Sequence, residues 1–166
     1  MAAMKVVVLT GPAGAGKNTI ARSFAQKSDR CAIIDVDDVR QMLVQPHKAP
    51  WEGEEGHRQQ LLGARNSIIL AKNFAGDDSD VLILDVLSDE TATLYKEGLK
   101  EFNPRIILLL PTYEEVKKRI GTRPKFLKDE ELELVYKSQT ELKVFDEKID
   151  NTNLSPEEVV PKFDYP

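Results

Sequence analysis

The chain has 166 residues, of which 41% are hydrophobic, and a formal net charge of −5 with both signs interspersed. This fits a single compact domain over 1–166 and excludes a domain-wide basic field that would hold long nucleic acid. No run approaches the ~20 apolar residues that span a bilayer, and no charged N-terminal segment leads into a long apolar stretch, so a soluble, cytoplasmic protein is expected. The single cysteine, Cys31, has no partner within the chain and opens an apolar segment, where a structural role is expected.

The first β-branched run, 5–10, reads as a strand buried on both faces, and 17–26 reads as a helix with apolar residues at Ile20, Ala21, Phe24 and Ala25. Between them lies Gly11-Pro12-Ala13-Gly14-Ala15-Gly16-Lys17-Asn18-Thr19. Glycines without Cβ let consecutive backbone N–H groups face phosphate oxygens beside a helix N-terminus, and Lys17 supplies a point charge for the β- and γ-phosphates. The pattern G-x-x-x-x-G-K-[ST] is met except at Asn18, which stands where a hydroxyl normally meets Mg²⁺. Asn18 can offer its carbonyl oxygen, Thr19 its hydroxyl, or water can complete the metal's shell. ATP binding is therefore expected of Gly11, Ala13, Gly14, Ala15, Gly16, Lys17, Asn18 and Thr19.

The second strand is expected at 31–35 and a helix at 38–44, joined by Asp35-Val36-Asp37-Asp38-Val39-Arg40. A carboxylate here can orient an acceptor oxygen in line with a γ-phosphate, and Asp37 is the preferred candidate; Asp35 can support the metal through water, and Asp38 can equally cap the helix. The loop 45–56 carries Trp51 and His47 and precedes a helix over 57–75. Trp51 can stack on an acceptor or anchor the loop by burying area. Neither His47 nor His57 belongs to a ligand set. In the 57–75 helix, Leu61, Arg65, Ile68, Lys72 and Ala75 form one line with Ala64 and Ala71 beside it.

The third strand, 81–85, ends in Asp85, a form that brings a carboxylate near Mg²⁺ in enzymes with this loop, although any strand can end in Asp to start a turn. A helix over 90–102, a strand over 105–110 and a helix over 113–121 follow. From Lys117 to Lys128 six cations occur without an acid, which fits a mobile cationic lid at about 119–128 on which Arg119 and Arg123 stabilise a transferring phosphoryl group. A helix over 129–147, a weak strand over 148–150 and a capped helix over 156–162 complete the pattern. Strands alternating with helices predict an α/β fold with a five-stranded parallel sheet flanked by helices in three layers, and ligands at the carboxyl ends of the strands.

The loop resembles that of adenylate kinase and other nucleoside monophosphate kinases, in which Gly follows the lysine and Thr comes next; here Asn18 takes the Gly place and Thr19 is kept. Asp35-Val36-Asp37 resembles the Asp-x-Asp of shikimate kinase, and Asp37-Asp38-Val39-Arg40 is similar to the Asp-Asp-x-x-Arg of polynucleotide kinases. These resemblances imply a P-loop kinase fold with a small lid, Asp37 as catalytic carboxylate, Arg40 against the acceptor or its phosphate, Trp51 over the acceptor, and Asn151 beside the nucleotide base. They imply transfer of the γ-phosphate of ATP, with Mg²⁺, to a hydroxyl or phosphate of a small metabolite or nucleotide. A polynucleotide 5′-hydroxyl kinase is the second enzyme reading, opposed by the chain's acidity. A nucleotide-binding ATPase module is the reading of another class, although Val86 follows Asp85 where AAA-type ATPases carry a water-activating Glu. A GTPase switch is excluded, since neither Asn-Lys-x-Asp nor Asp-x-x-Gly occurs.

Overall fold

The apolar runs line up as neighbours in one sheet. The computed structural model describes residues 4–122 and 127–163. Its five strands, β1 (Val6–Thr10), β2 (Cys31–Asp35), β3 (Asp80–Leu84), β4 (Arg105–Leu109) and β5 (Glu147–Ile149), lie in the order β2-β3-β1-β4-β5. All four pairings are parallel, with Val8 opposite Ile83 on one side and Ile106 on the other.

The central strands lack polar alternation because both of their faces are covered. Val6, Val8, Val81, Ile83, Ile106 and Leu108 join one core, and Val7, Leu9, Leu82, Leu84, Ile107 and Leu109 join the other. The first core is closed by α2 (Val36–Gln41), α3 (Gly53–Gly76) and α4 (Asp89–Gly98), and the second by α1 (Lys17–Ala25) and α7 (Pro156–Val159) with the 3-10 turn Val160–Phe163. Two further helices, α5 (Tyr113–Gly121) and α6 (Asp129–Glu141), connect β4 to β5 in the chain. The α/β class, the five parallel strands and the three layers are as the alternation predicts. Among the described residues no helix is long and apolar enough to cross a membrane.

Three boundaries differ from expectation for identifiable reasons. α2 starts at Val36 rather than at 38, because the Asp35 side chain accepts a hydrogen bond from Asp37 N (3.0 Å) and caps the helix itself. α6 stops at Glu141 rather than reaching 147, because the N–H groups of Lys143 and Val144 donate to Asp89 Oδ1 (2.8 and 2.9 Å) instead of to the helix. α3 starts at Gly53, four residues before the expected helix, and its buried line differs too. Arg65 and Lys72 are exposed, and the face turned inward carries Gly56, Gln59, Gly63, Ser67, Ala71 and Ala75. Small residues let other backbone lie close, a use of a helix face that an apolar count does not register.

Candidate active site

From β1 the chain leaves toward α1 on one face of the sheet, whereas from the adjacent β3 it leaves toward α4 on the other. The two connections diverge, and the gap at the carboxyl ends of the strands is where ligands sit in such sheets. A cleft of about 1480 Å³ opens there, lined by the glycine loop, Asp35, Asp37, Arg40, Trp51 and Asp85 together with residues of α6. Most of the expected site residues thus share one cavity.

The loop's shape is imposed by its neighbours. A Cβ on Gly11 would lie 2.4 Å from the Leu109 carbonyl oxygen, so only glycine lets β4 approach. Gly16 is the N-cap of α1 in the left-handed region, φ 91°, and brings no capping side chain. With no acid in its first turn either, the helix keeps its positive end for an outside anion. Lys17 Nζ donates to the carbonyls of Gly11 (2.6 Å) and Pro12 (3.2 Å). Burial lowers the pKa of Lys17 to about 8, against the opposing pull of Asp37, Asp85 and Asp35. Those carboxylates therefore share one electrostatic field with the loop's ammonium. Asn18 and Thr19 follow in the first turn of α1, both exposed.

Asp85 sits just past β3, its Oδ2 accepting from Tyr95 OH (3.0 Å) and its Oδ1 from Val86 N (2.8 Å). Burial raises its pKa to about 6, with both hydrogen bonds acting the other way. Asp35 is raised as well, mainly by burial. Asp37 is exposed in the first turn of α2. These hard oxygen donors suit Mg²⁺, which commonly keeps several waters. Among the described residues no three His, Cys, Asp or Glu side chains gather around one point.

The segment between α2 and α3 forms a strap along the side of the cleft that carries Asp37 and Arg40. Gln59, buried on α3, accepts from Lys48 N (2.9 Å) and donates to Pro46 O (2.8 Å), while Arg40 Nη2 donates to Lys48 O (2.6 Å). A Cβ on Gly56 would lie 2.0 Å from Ala49 O, and one on Gly63 would lie 2.5 Å from Arg40 Cγ. Trp51, 40% exposed, and His47 hang from this strap into the cleft.

Arg119 lies within α5, fixed on the glycine loop rather than on a detached segment. It pairs with Glu115 (2.9 Å) and donates to Asn151 O (2.9 Å) and Ala15 O (3.3 Å), while Asn151 Nδ2 donates to Ala15 O (2.8 Å). The loop after β5 is thereby tied to the phosphate loop, and Asp150 forms a turn by accepting from Thr152 N (3.0 Å). Arg123, the second expected lid arginine, lies outside the described residues.

The sequence reading missed Gln59, Tyr95 and Gln139. Gln139 is fully buried on α6, where its Oε1 accepts from Thr10 Oγ1 (2.7 Å) and its Nε2 donates to Leu87 O (2.9 Å). It occupies the Leu132, Val135, Leu142 stripe, and a glutamine on an apolar stripe is the signal that would have flagged it.

A parallel five-stranded sheet between helical layers, with a glycine loop and lysine springing from its central strand, defines the P-loop kinase fold. An unliganded sugar kinase from Janibacter sp. HTCC2649 shares it with a TM-score of 0.72 at 17% identity, covering 96% of this chain and 91% of that one. Shikimate kinase from Acinetobacter baumannii in complex with shikimate does so at 0.64 and 20%, covering 96% and 90%. The tunicamycin resistance protein of Deinococcus radiodurans matches at 0.67 and 15%, covering 96% and 93%. At such identities the likeness is one of fold. No family model matches the chain, and no curated protein matches it by sequence.

Proposed function

We propose that the protein is an ATP-dependent phosphotransferase that moves the γ-phosphate to a small acceptor. The observation that carries this is the shared cleft, with Lys17 and the open helix end on the donor side and Asp37 on the acceptor side. The kinase folds of the two enzymes named above support a small-molecule acceptor. The loop amides and Lys17 hold the β- and γ-phosphates, and Asn151 with the backbone around it flanks the base. Asp37 accepts the hydrogen bond of the acceptor hydroxyl and aims its oxygen at the γ-phosphorus. As that oxygen–phosphorus bond forms, the bond from the γ-phosphorus to the β,γ-bridging oxygen breaks, ADP leaves, and the hydroxyl proton passes to Asp37 and on to solvent. Arg119 offsets charge on the phosphates, and Arg123, outside the described residues, is assigned the same role from the sequence. Bound with ATP, Mg²⁺ spreads charge over the phosphate oxygens, and Asp85, Asn18 and Thr19 are the side chains that would hold it, Asp35 through water.

The test is incubation with γ-labelled ATP and Mg²⁺ against a panel of hydroxyl acceptors, reading which becomes labelled. Asp37→Asn is expected to lower turnover at least ~100-fold with ATP affinity within about twofold of the parent. Intact turnover in that variant would overturn the assignment of Asp37.

A further inference from the structure

Among the described residues Arg40 is the one arginine lining the acceptor half of the cleft, and it is already engaged. Its side chain is only 10% exposed, Nη2 donates to Lys48 O at 2.6 Å, and Nη1 stands 4.0 Å from Asp37 Oδ1. Its Nε is sealed from solvent, and its stem crosses α3 at Gly63. Gripping a carboxylate or phosphate requires a planar fork with two parallel N–H groups open to the ligand. Here the fork clasps the strap instead. Around it the half-cleft carries Asp35, Asp37 and Glu52, while Lys143, further along the wall, lies beside Asp89.

Ionised carboxylates only accept hydrogen bonds, so what they recognise must donate them: hydroxyl or ammonium hydrogens. An anionic acceptor entering here would lose its hydration beside three like charges with no arginine fork open to it, Lys17 standing across the cleft in the glycine loop. Trp51, with its indole partly bare on the strap, adds a flat apolar platform, and Gln60 adds a neutral hydrogen-bonding group.

We infer that the acceptor is an uncharged or cationic polyhydroxyl compound with an apolar ring face, that the site discriminates against phosphorylated and carboxylated acceptors, and that Arg40 is a positioning residue for the strap. This rests on the phosphotransferase reading. In the transfer the acceptor's hydroxyl oxygen bonds the γ-phosphorus as the bond to the β,γ-bridging oxygen breaks, ADP departs and the proton passes to Asp37.

The experiment uses acceptors paired to differ by one anionic group: a nucleoside and its 5′-monophosphate, a hexose and its 6-phosphate, shikimate methyl ester and shikimate, with an amino hexose added. Label from γ-labelled ATP is followed for the parent protein and for Arg40→Met, and ATP affinity within twofold of the parent reports an intact variant. The neutral or aminated member of each productive pair is expected to show at least a tenfold higher kcat/KM. In Arg40→Met the neutral acceptors should lose efficiency through KM, while the ratio within a pair changes less than threefold. Equal or better use of an anionic member, or selective loss of anionic acceptors in Arg40→Met, overturns the inference and leaves the phosphotransferase reading standing. Saturable ATP binding with slow phosphate release and no labelled acceptor of either kind overturns both.

Discussion

Lys17 is held in a setting that opposes its own charge. Its pKa is lowered from 10.5 to about 8 by burial, so between those values the folded protein binds fewer protons than the unfolded chain. Unfolding free energy contributed by this group therefore rises with pH across that window, and its full penalty is present below about pH 8. Binding runs the other way, because phosphate needs the ammonium. ATP affinity is expected to hold up to about pH 8 and then to weaken, approaching tenfold per pH unit, as read by titration calorimetry of the parent protein. A flat profile to pH 9.5 would remove Lys17 from the phosphate site. The loop itself was legible because all its information is local: glycines, a lysine and a preceding strand within a dozen residues. Asp37 and Asp85 were legible from their places just after strands, whereas the tyrosine that orients Asp85 was not. Tyr95 reaches Asp85 across ten residues of chain, and no spacing rule links an interior tyrosine to a strand-end carboxylate.

At the scale of elements, α3 is less a wall than a clasp. Gly56, Gln59 and Gly63 share its inner face; the first two meet the strap, and Gly63 makes room for Arg40 of α2. Gly56→Ala would drive a methyl group into Ala49 O, displacing the strap at a cost of about 1–3 kcal/mol. The expected result is a roughly tenfold rise in acceptor KM with ATP affinity unchanged, since the glycine loop lies on a different element. On α6, Gln139→Leu would strip partners from Thr10 Oγ1 and Leu87 O inside the core. That loss is expected to cost about 2–3 kcal/mol and to lower Tm by roughly 5–10 °C in calorimetry. Helix periodicity located both helices and the buried face of α6, but misread the face of α3, because it counts apolar surface. What α3 contributes is the absence of side chains, and what α6 contributes is an amide bridging positions 129 and 52 residues away.

Across the whole molecule, the walls of the cleft come from distant stretches of chain that one sheet brings together. The glycine loop, Asp37 and Asp85 face one cleft because the connections after β1 and β3 part to opposite faces, and Arg119 and Asn151 are tied to the loop at Ala15. Alternation of strands and helices was enough to predict this architecture, but not the tying of Asn151 and Arg119 onto Ala15, which depends on α5 and the loop after β5 meeting at the same edge. A ligand that bridges these parts stabilises the fold as a unit. ATP with Mg²⁺ at 100 times its Kd is expected to add about 2.7 kcal/mol and to raise Tm by roughly 5–10 °C, measured by scanning calorimetry. An unmoved transition under those conditions would sink the nucleotide site.

The ammonium of Lys17 rests on the carbonyls of Gly11 and Pro12, folding the first side chain of α1 back across the loop that precedes it. A phosphate drawn to this ammonium would therefore compete with two backbone oxygens for it.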